Sequence, residues 1–131
     1  MTISEMAKRL EVSPHTLRYY EKIGLIREVD RAGARRSYTR QDQTWLEFIL
    51  RLKGTGMPLK QIQQYAELRY EGDTTLTERK EMLLLHRQDL MRNIDKLKSH
   101  LTSLDDKIDV YETMEKEYDA LRKRIEEAGG N

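Results

Sequence analysis

The first 24 residues carry apolar side chains with the period of two short helices. Residues 3–10 (ISEMAKRL) place apolar side chains three and four positions apart and predict an amphipathic helix. A second helix is predicted after Ser13, which can cap it, with Pro14 in its first turn and Gly24 at its end. Two short helices joined by a tight turn predict a helix-turn-helix motif.

The helical period is lost in residues 25–39. Apolar or aromatic side chains at Ile26, Val29 and Tyr38 flank a basic stretch that contains a glycine. This pattern predicts a small β-hairpin with its turn near residues 32–34.

Two further helices are predicted before residue 71. The third begins at Thr39 or Asp42 and carries a stripe made of Trp45, Phe48, Ile49 and Leu52. The segment GTGMPL, residues 54–59, ends it. The fourth helix follows, and its inward residues are predicted to be Leu59, Ile62, Tyr65, Ala66 and Leu68.

The last half of the chain carries a heptad pattern. From Leu90 onward the apolar residues alternate steps of four and three over three heptads, which is typical of a coiled coil. Such a stripe needs a facing helix, and residues 119–131 are too short to supply one, so we expect a second copy of the chain. The predicted dimer interface consists of Leu83, Leu90, Ile94, Leu97, Leu101, Leu104, Ile108 and Tyr111.

The pattern fades after Tyr111, because Glu115 and Arg122 would take seam positions. The tail, residues 119–131, is therefore expected to be either a frayed helix or a short piece that folds back. The predicted partition is a DNA-binding domain in 1–70, a linker in 71–75, a dimerisation helix in 76–118 and this tail.

Composition and charge narrow the class of protein. Charged residues make up 36% of the chain and hydrophobic residues 37%, a balance typical of long helices. Residues 1–70 carry 13 basic and 8 acidic side chains, whereas the remaining 61 carry 11 and 15. A basic front half suggests a polyanionic partner. The chain has no apolar run that could cross a bilayer and no leader pattern, so we expect a cytoplasmic protein and no membrane partner.

Catalytic and metal-binding patterns are missing from the sequence. The histidines, at positions 15, 86 and 100, lack metal-ligand spacing, and the chain contains no cysteine. The Asp105–Asp106 pair lies on the heptad helix and is interpreted as solvated surface. We therefore expect no enzyme activity, no cofactor and no metal site.

Nucleic-acid binding agrees better with the residues of the second helix. Its N-terminal end, beside His15, would face base edges in a major groove, and the fork of Arg18 can bond two acceptors of guanine. Adjacent Tyr19 and Tyr20 point about 100° apart on a helix, so one ring can enter the core while the other contacts a phosphate. The hairpin arginines, Arg31, Arg35 and Arg36, would reach further phosphates as a wing.

These segments resemble a known family. ISEMAKRLEVSPHTLRYYEKIGLI, RRSYT and LKGTGMPLKQI are similar to the MerR family of bacterial transcription regulators over roughly residues 1–70. The linker and heptad helix resemble the subgroup that responds to aldehydes and nitrogen electrophiles. The resemblance implies a mainly α fold, with a winged helix-turn-helix DNA-binding domain followed by a long helix that dimerises as an antiparallel coiled coil.

The resemblance also implies a mechanism and contact residues. Members bind a pseudo-palindromic operator in an overlong promoter spacer and remodel that spacer, which acts indirectly on RNA polymerase. Carried over to this chain, the implied DNA contacts are Thr16, Arg18, Tyr19, Tyr20, Arg36, Tyr38 and Lys53.

Sensing is where the chain departs from the family. Metal-sensing and redox-sensing relatives use cysteines, and the aldehyde-responsive subgroup has a reactive cysteine where this chain has Arg51. A small-molecule effector would therefore bind without a thiol. The candidate effector pocket, where the third and fourth helices meet the long helix, comprises Trp45, Ile49, Tyr65, Tyr70 and Leu83.

Two functions remain after this reasoning. The favoured one is a sequence-specific transcriptional regulator that binds double-stranded promoter DNA as a homodimer. The alternative is a structural or protein-interaction adaptor, whose coiled coil is the functional part and whose basic domain is incidental. Salt-dependent binding to a two-fold DNA site would distinguish them.

Overall fold

The structure, a computed structural model, describes residues 1–27, 30–32 and 35–129. The chain divides into two compact units, residues 1–90 and the residues from 91 onward. The order of elements confirms the predicted fold class, a winged helix-turn-helix domain followed by a long helix. The elements are α1 (Ile3–Leu10), α2 (Pro14–Lys22), β1 (Asp30–Ala32), β2 (Arg35–Ser37), α3 (Arg40–Gly54), α4 (Leu59–Glu71), a short 3-10 turn (Asp73–Thr75) and α5 (Leu76–Gly129).

Side-chain caps fix where α2 and α3 begin. Ser13 Oγ accepts a hydrogen bond of 3.1 Å from the backbone N–H of Thr16, as predicted for the start of α2. At α3, Thr39 Oγ1 accepts from the N–H of Asp42, and the Asp42 carboxylate accepts from the N–H of Thr39. This reciprocal pair is a capping box, so the two predicted starting residues act together at one helix end.

The core of the first unit is built by the inner faces of α1 to α4 and by the segment after α2. Gly24, at φ +83°, turns the chain back there, and Leu25 and Ile26 become fully buried. Trp45 Nε1 donates a buried hydrogen bond of 2.7 Å to the carbonyl of Leu25. The buried apolar residues are Met6, Ala7, Leu10, Leu17, Tyr20, Leu25, Ile26, Tyr38, Trp45, Leu46, Ile49, Leu52, Met57, Ile62, Tyr65 and Ala66.

The predicted hairpin is present as an antiparallel pair of short strands. Arg31 lies opposite Arg36, and Ala32 lies opposite Arg35. The predicted turn at residues 32–34 is described only at Ala32. Residues 33 and 34, and Val29 before β1, lie outside the described residues.

The end of the hairpin is joined to the N-terminus of the chain. The Met1 ammonium donates to the carbonyl of Tyr38 at 2.7 Å, and the Tyr38 N–H donates to the carbonyl of Met1 at 2.7 Å. The two bonds hold the residue that follows the strand pair against the start of the helix-turn-helix.

The segment between α4 and α5 is an ordered turn. Thr75 is buried, and its hydroxyl donates to the carbonyls of Leu68 and Gly72. Arg79, on the first turn of α5, donates from Nε to the Thr75 hydroxyl and from Nη2 to the Gly72 carbonyl. The predicted linker, residues 71–75, is therefore fixed to both helices.

Helix α5 carries the predicted heptad stripe on its surface. Its 54 residues include six seam side chains with exposed fractions between 42% and 67%, while Leu90 is half-buried. Leu83 differs from the prediction, because it is half-buried and packs on the core of its own unit. The six exposed seam residues are Ile94, Leu97, Leu101, Leu104, Ile108 and Tyr111.

Among the described residues, no helix has the length and apolar character needed to span a membrane.

Helix α5 continues through the predicted tail to Gly129, so the tail is helical, as in the first of its two expected forms, and does not fold back. The apolar stripe continues as well, after a change of phase. Two successive steps of three, from Ile108 to Tyr111 to Met114, replace the expected step of four. Beyond this point the exposed apolar residues keep heptad spacing in a new register, which removes Glu115 and Arg122 from the seam. They are Met114, Tyr118, Leu121 and Ile125, with exposed fractions of 54–64%.

The capping box of α3 yields a stability prediction. Thr39→Ala removes the cap oxygen, so we expect the free energy of unfolding to fall by about 1 kcal/mol. Urea unfolding followed by circular dichroism measures it. Thr44→Ala is the matched control, because Thr44 lies within the same helix and its hydroxyl bonds only the Arg40 carbonyl. The capping role is refuted if the two variants lose the same stability.

Candidate nucleic-acid interface

One face of α2 is exposed and carries polar groups suited to DNA. His15, Arg18, Tyr19 and Lys22 are exposed and lie three and four residues apart, so they share a face. The opposite face is buried through Leu17 and Tyr20. The helix therefore presents two cations, an imidazole and a phenol as one surface.

The two adjacent tyrosines have different roles. Tyr19 is 44% exposed, whereas Tyr20 is 2% exposed, and their ring centroids lie 6.4 Å apart. This separation agrees with the geometric expectation that only one ring enters the core. The ring of Tyr20 belongs to the core, and the DNA contact that the resemblance implies for this residue stays a prediction.

Tyr20 also positions a cation, Lys53, beside α2. Lys53 Nζ, in the last turn of α3, donates to the Tyr20 hydroxyl at 3.3 Å and lies 5.7 Å from the centroid of its ring. Hydrogen bonding and cation–π attraction both hold the ammonium there. Lys53 itself is exposed, so its charge is available to a phosphate.

Thr16 contributes to the helix end. Its hydroxyl lies 2.9 Å from Ser13 Oγ, which also accepts the Thr16 backbone N–H. Thr16 is half-buried, so any DNA contact it makes is limited to the part of the side chain left at the surface.

The wing residues are placed by the strand pairing. Arg31 and Arg36 are cross-strand partners in the ribbon, and Arg35 pairs with Ala32. The described structure covers the backbone of these residues. Tyr38 is 2% exposed and belongs to the core cluster, and the DNA contact that the resemblance implies for it stays a prediction.

The candidate effector pocket is only partly assembled. Trp45 and Tyr65 line a cleft of about 580 Å³. Ile49 is buried in the core, Leu83 packs on that core, and the Tyr70 hydroxyl accepts the backbone N–H of Arg27 at 2.8 Å. Two of the five predicted residues therefore face the cleft.

Sequence reasoning overlooked Lys22 and the charged lining of the cleft. Lys22 is four residues after Arg18 and seven after His15, so helical spacing from either residue would have found it. Arg69 and Arg79 line the cleft although they belong to α4 and α5, and only the packing of these helices brings them beside α3.

Comparison with protein families agrees with this geometry. A family model described as "MerR HTH family regulatory protein" matches residues 1–68. A second model, described as "MerR, DNA binding", matches residues 43–107.

Individual relatives match along most of the chain. An HTH-type transcriptional regulator of Haemophilus influenzae is 36% identical over 113 residues, covering 85% of this chain and 83% of that protein. The crystal structure of a MerR family regulator from Listeria monocytogenes superimposes with a TM-score of 0.82 at 35% identity and covers 86% of each chain. That of HiNmlR, a MerR family regulator lacking the sensor domain and bound to promoter DNA, has a TM-score of 0.79 at 34% identity and covers 86% of this chain and 90% of its own.

The position of Lys53 yields a prediction for DNA affinity. Lys53 is exposed and is implied as a DNA contact, and we expect that contact to be with a phosphate. Lys53→Gln should therefore weaken binding to specific and random DNA alike. The slope of log affinity against log salt should fall by about 0.9 for each subunit that loses the contact. Fluorescence anisotropy over a salt series measures both quantities.

Two variants make this test specific. Tyr20→Phe keeps the ring in the core and removes the hydroxyl that accepts from Lys53. We therefore expect DNA affinity and the salt slope to fall, but by less than in Lys53→Gln. Lys123→Gln, an exposed lysine in the second unit, is the control and should leave affinity and slope unchanged. A change of sequence preference in Lys53→Gln with an unchanged slope would contradict the phosphate role.

Proposed function

The chain belongs to the MerR family of helix-turn-helix DNA-binding transcriptional regulators, and we propose that it acts as a homodimer on a palindromic promoter operator. The observation that carries this proposal is the exposed face of α2, where His15, Arg18, Tyr19 and Lys22 lie together. A recognition helix of this motif enters the major groove with its N-terminal residues toward the bases.

Base recognition is assigned to Arg18 and backbone contact to its neighbours. The planar guanidinium of arginine can bond O6 and N7 of one guanine, a contact that distinguishes base pairs. Tyr19 and Lys53 are suited to phosphates, which set the register of the helix on the duplex. The basic ribbon, with Arg31, Arg35 and Arg36 in its two strands, extends the positive surface as a wing.

Dimerisation follows from the stripe along α5. Its leucines and isoleucines have heptad spacing and are exposed in the single chain, which favours pairing with the same stripe of a second chain. Two-fold pairing of identical chains would place two recognition helices on a two-fold-symmetric site. The solved structure of HiNmlR with promoter DNA supports a promoter site for this chain.

Promoter remodelling is the proposed regulatory step. A dimer that bends and untwists the spacer changes the relative orientation of the two promoter elements, and RNA polymerase responds to the DNA shape. A gel shift with the DNA upstream of the gene, titrated with salt, tests the first step. A steep salt dependence and a two-fold footprint support the regulator, whereas absence of binding supports the adaptor alternative.

Arg18→Ala tests the base contact. We expect the preference for operator over scrambled DNA to fall by about 1–3 kcal/mol for each half-site, while folding and dimerisation are unchanged. Competitive anisotropy with the two DNAs measures it. Arg122→Ala, in the exposed last part of α5, is the arginine control. If Arg18→Ala keeps its preference, another residue recognises the bases.

The pairing of α5 has its own test. Leu97→Asp with Leu104→Asp places charges in the seam, and an unpaired buried charge costs on the order of several kcal/mol. We expect a monomer in sedimentation and a collapse of operator affinity. Ser99→Asp with Ser103→Asp adds the same charge at exposed positions outside the seam and should remain dimeric. A stable dimer in the leucine variant would place the interface on another surface.

A further inference from the structure

A cleft in the first unit combines three arginines with three aromatic rings. It lies between α3, α4 and the first turns of α5 and has a volume of about 580 Å³. Arg40, Arg69 and Arg79 supply its charges, and Trp45, Phe48 and Tyr65 supply its apolar surface. It does not include the exposed face of α2.

The charges of the cleft are of one sign. Its lining contains no Asp or Glu, and within the described part of the chain none of the three arginines forms an ion pair. Asp42, the acid of the first turn of α3, accepts the backbone N–H of Thr39 in the capping box. Three like charges around one cleft repel one another, so an anion bound there gains from all three.

Two of the arginines are held in place by contacts that leave part of their guanidinium available. The Cζ of Arg69 lies 4.1 Å from the centroid of the Trp45 ring, and no hydrogen bond of its guanidinium is found within the described part of the chain. Arg79 uses Nε and Nη2 on the Thr75 hydroxyl and the Gly72 carbonyl. A ligand therefore meets donors whose orientation is already fixed, which lowers the entropy lost on binding.

Arg40 is placed where a cation is unfavourable for the helix. It is the first residue of α3, at the positive end of the helix dipole. The dipole and the arginine act in the same direction on an anion in the cleft. Replacing this arginine with a neutral residue should therefore not destabilise α3.

The aromatic side of the cleft suits a flat apolar body. The rings of Trp45 and Tyr65 are stacked at 5.9 Å with an interplanar angle of 15°, and Phe48 lies 5.9 Å from Tyr65. The volume falls in the range of about 300–1,000 Å³ of small-molecule sites. We propose that this cleft binds a small aromatic carboxylate, with the carboxylate on the arginines and the ring against the aromatic residues.

The cleft also touches the residues that fix the start of α5. Arg79 holds the turn between α4 and α5, so a carboxylate bound to Arg79 acts on the group that sets this junction. As an effector site this inference rests on the proposed function. The binding itself involves no DNA, so the two can fail separately.

The test is a titration of the purified full chain, without DNA, with three probes. Benzoate has the proposed shape and charge, benzamide has the shape without the charge, and inorganic phosphate has charge without the ring. Trp45 is the only tryptophan of the chain and lines the cleft, so its fluorescence reports occupancy. We expect saturable binding of benzoate that is at least about tenfold tighter than that of benzamide, because charge-assisted hydrogen bonds are lost in the amide.

The variants locate the site. Arg40→Gln should weaken benzoate binding about tenfold with an unchanged unfolding transition, measured by calorimetry. Arg87→Gln, an exposed arginine of α5 outside the cleft, should bind benzoate like the parent chain. Equal binding of benzoate and benzamide, equal or tighter binding of phosphate, or no binding of benzoate would each overturn the proposal. So would an unchanged affinity in Arg40→Gln.

Discussion

The hydrogen bond from the Trp45 indole to the Leu25 carbonyl joins the parts of the first unit that must act together. Leu25 follows the recognition helix, and its buried carbonyl needs a donor because no water reaches it. Trp45 provides that donor from the middle of α3, and the same indole stacks on Tyr65 of α4 and carries Arg69 on its face. The Trp45 side chain therefore connects the end of the recognition helix with two core helices and the arginine cleft. A substitution of Trp45 would therefore alter the packing beneath both the proposed DNA-binding face and the proposed ligand cleft.

Local chemistry made most of this unit predictable from the sequence. Ser13, Pro14 and Thr39 act through the backbone of their own helix, so a reader of the sequence needs no tertiary information to place them. The period of apolar residues gave the inner faces of α1 to α4 for the same reason. The roles of the tyrosines were harder, because spacing shows that two adjacent rings diverge but not which one is buried. Packing decides it, and it buries Tyr20 while leaving Tyr19 outside.

The seam of α5 shows a different limit of sequence reasoning. With the heptad register held fixed beyond Tyr111, Glu115 and Arg122 interrupt the seam, and the tail is expected to fray or to fold back. An extra three-residue step removes this conflict, since it moves the seam to Met114 and Tyr118 and leaves the charged residues outside. Insertions of three residues overwind a coiled coil locally. In the proposed dimer, a partner helix that follows the stripe past Tyr111 must adjust its supercoil there, so this step divides the proposed interface into two parts.

The positive charge of the first unit serves two surfaces that composition cannot separate. The excess of basic residues in 1–70 predicts a polyanionic partner, and the exposed Arg18 and Lys22 agree with that expectation. Arg69 belongs to this excess, and Arg79 lies nine residues beyond it. Both are half-buried, and each is fixed by a ring or by backbone and hydroxyl acceptors. Exposed cations on an open helix face suit DNA, whose bases and phosphates offer many separate contacts along its length. Oriented cations beside aromatic rings suit one compact anion, because its few hydrogen bonds must all be well directed. The distinction between a DNA contact and a ligand contact lies in how each arginine is held, and the fold alone determines that.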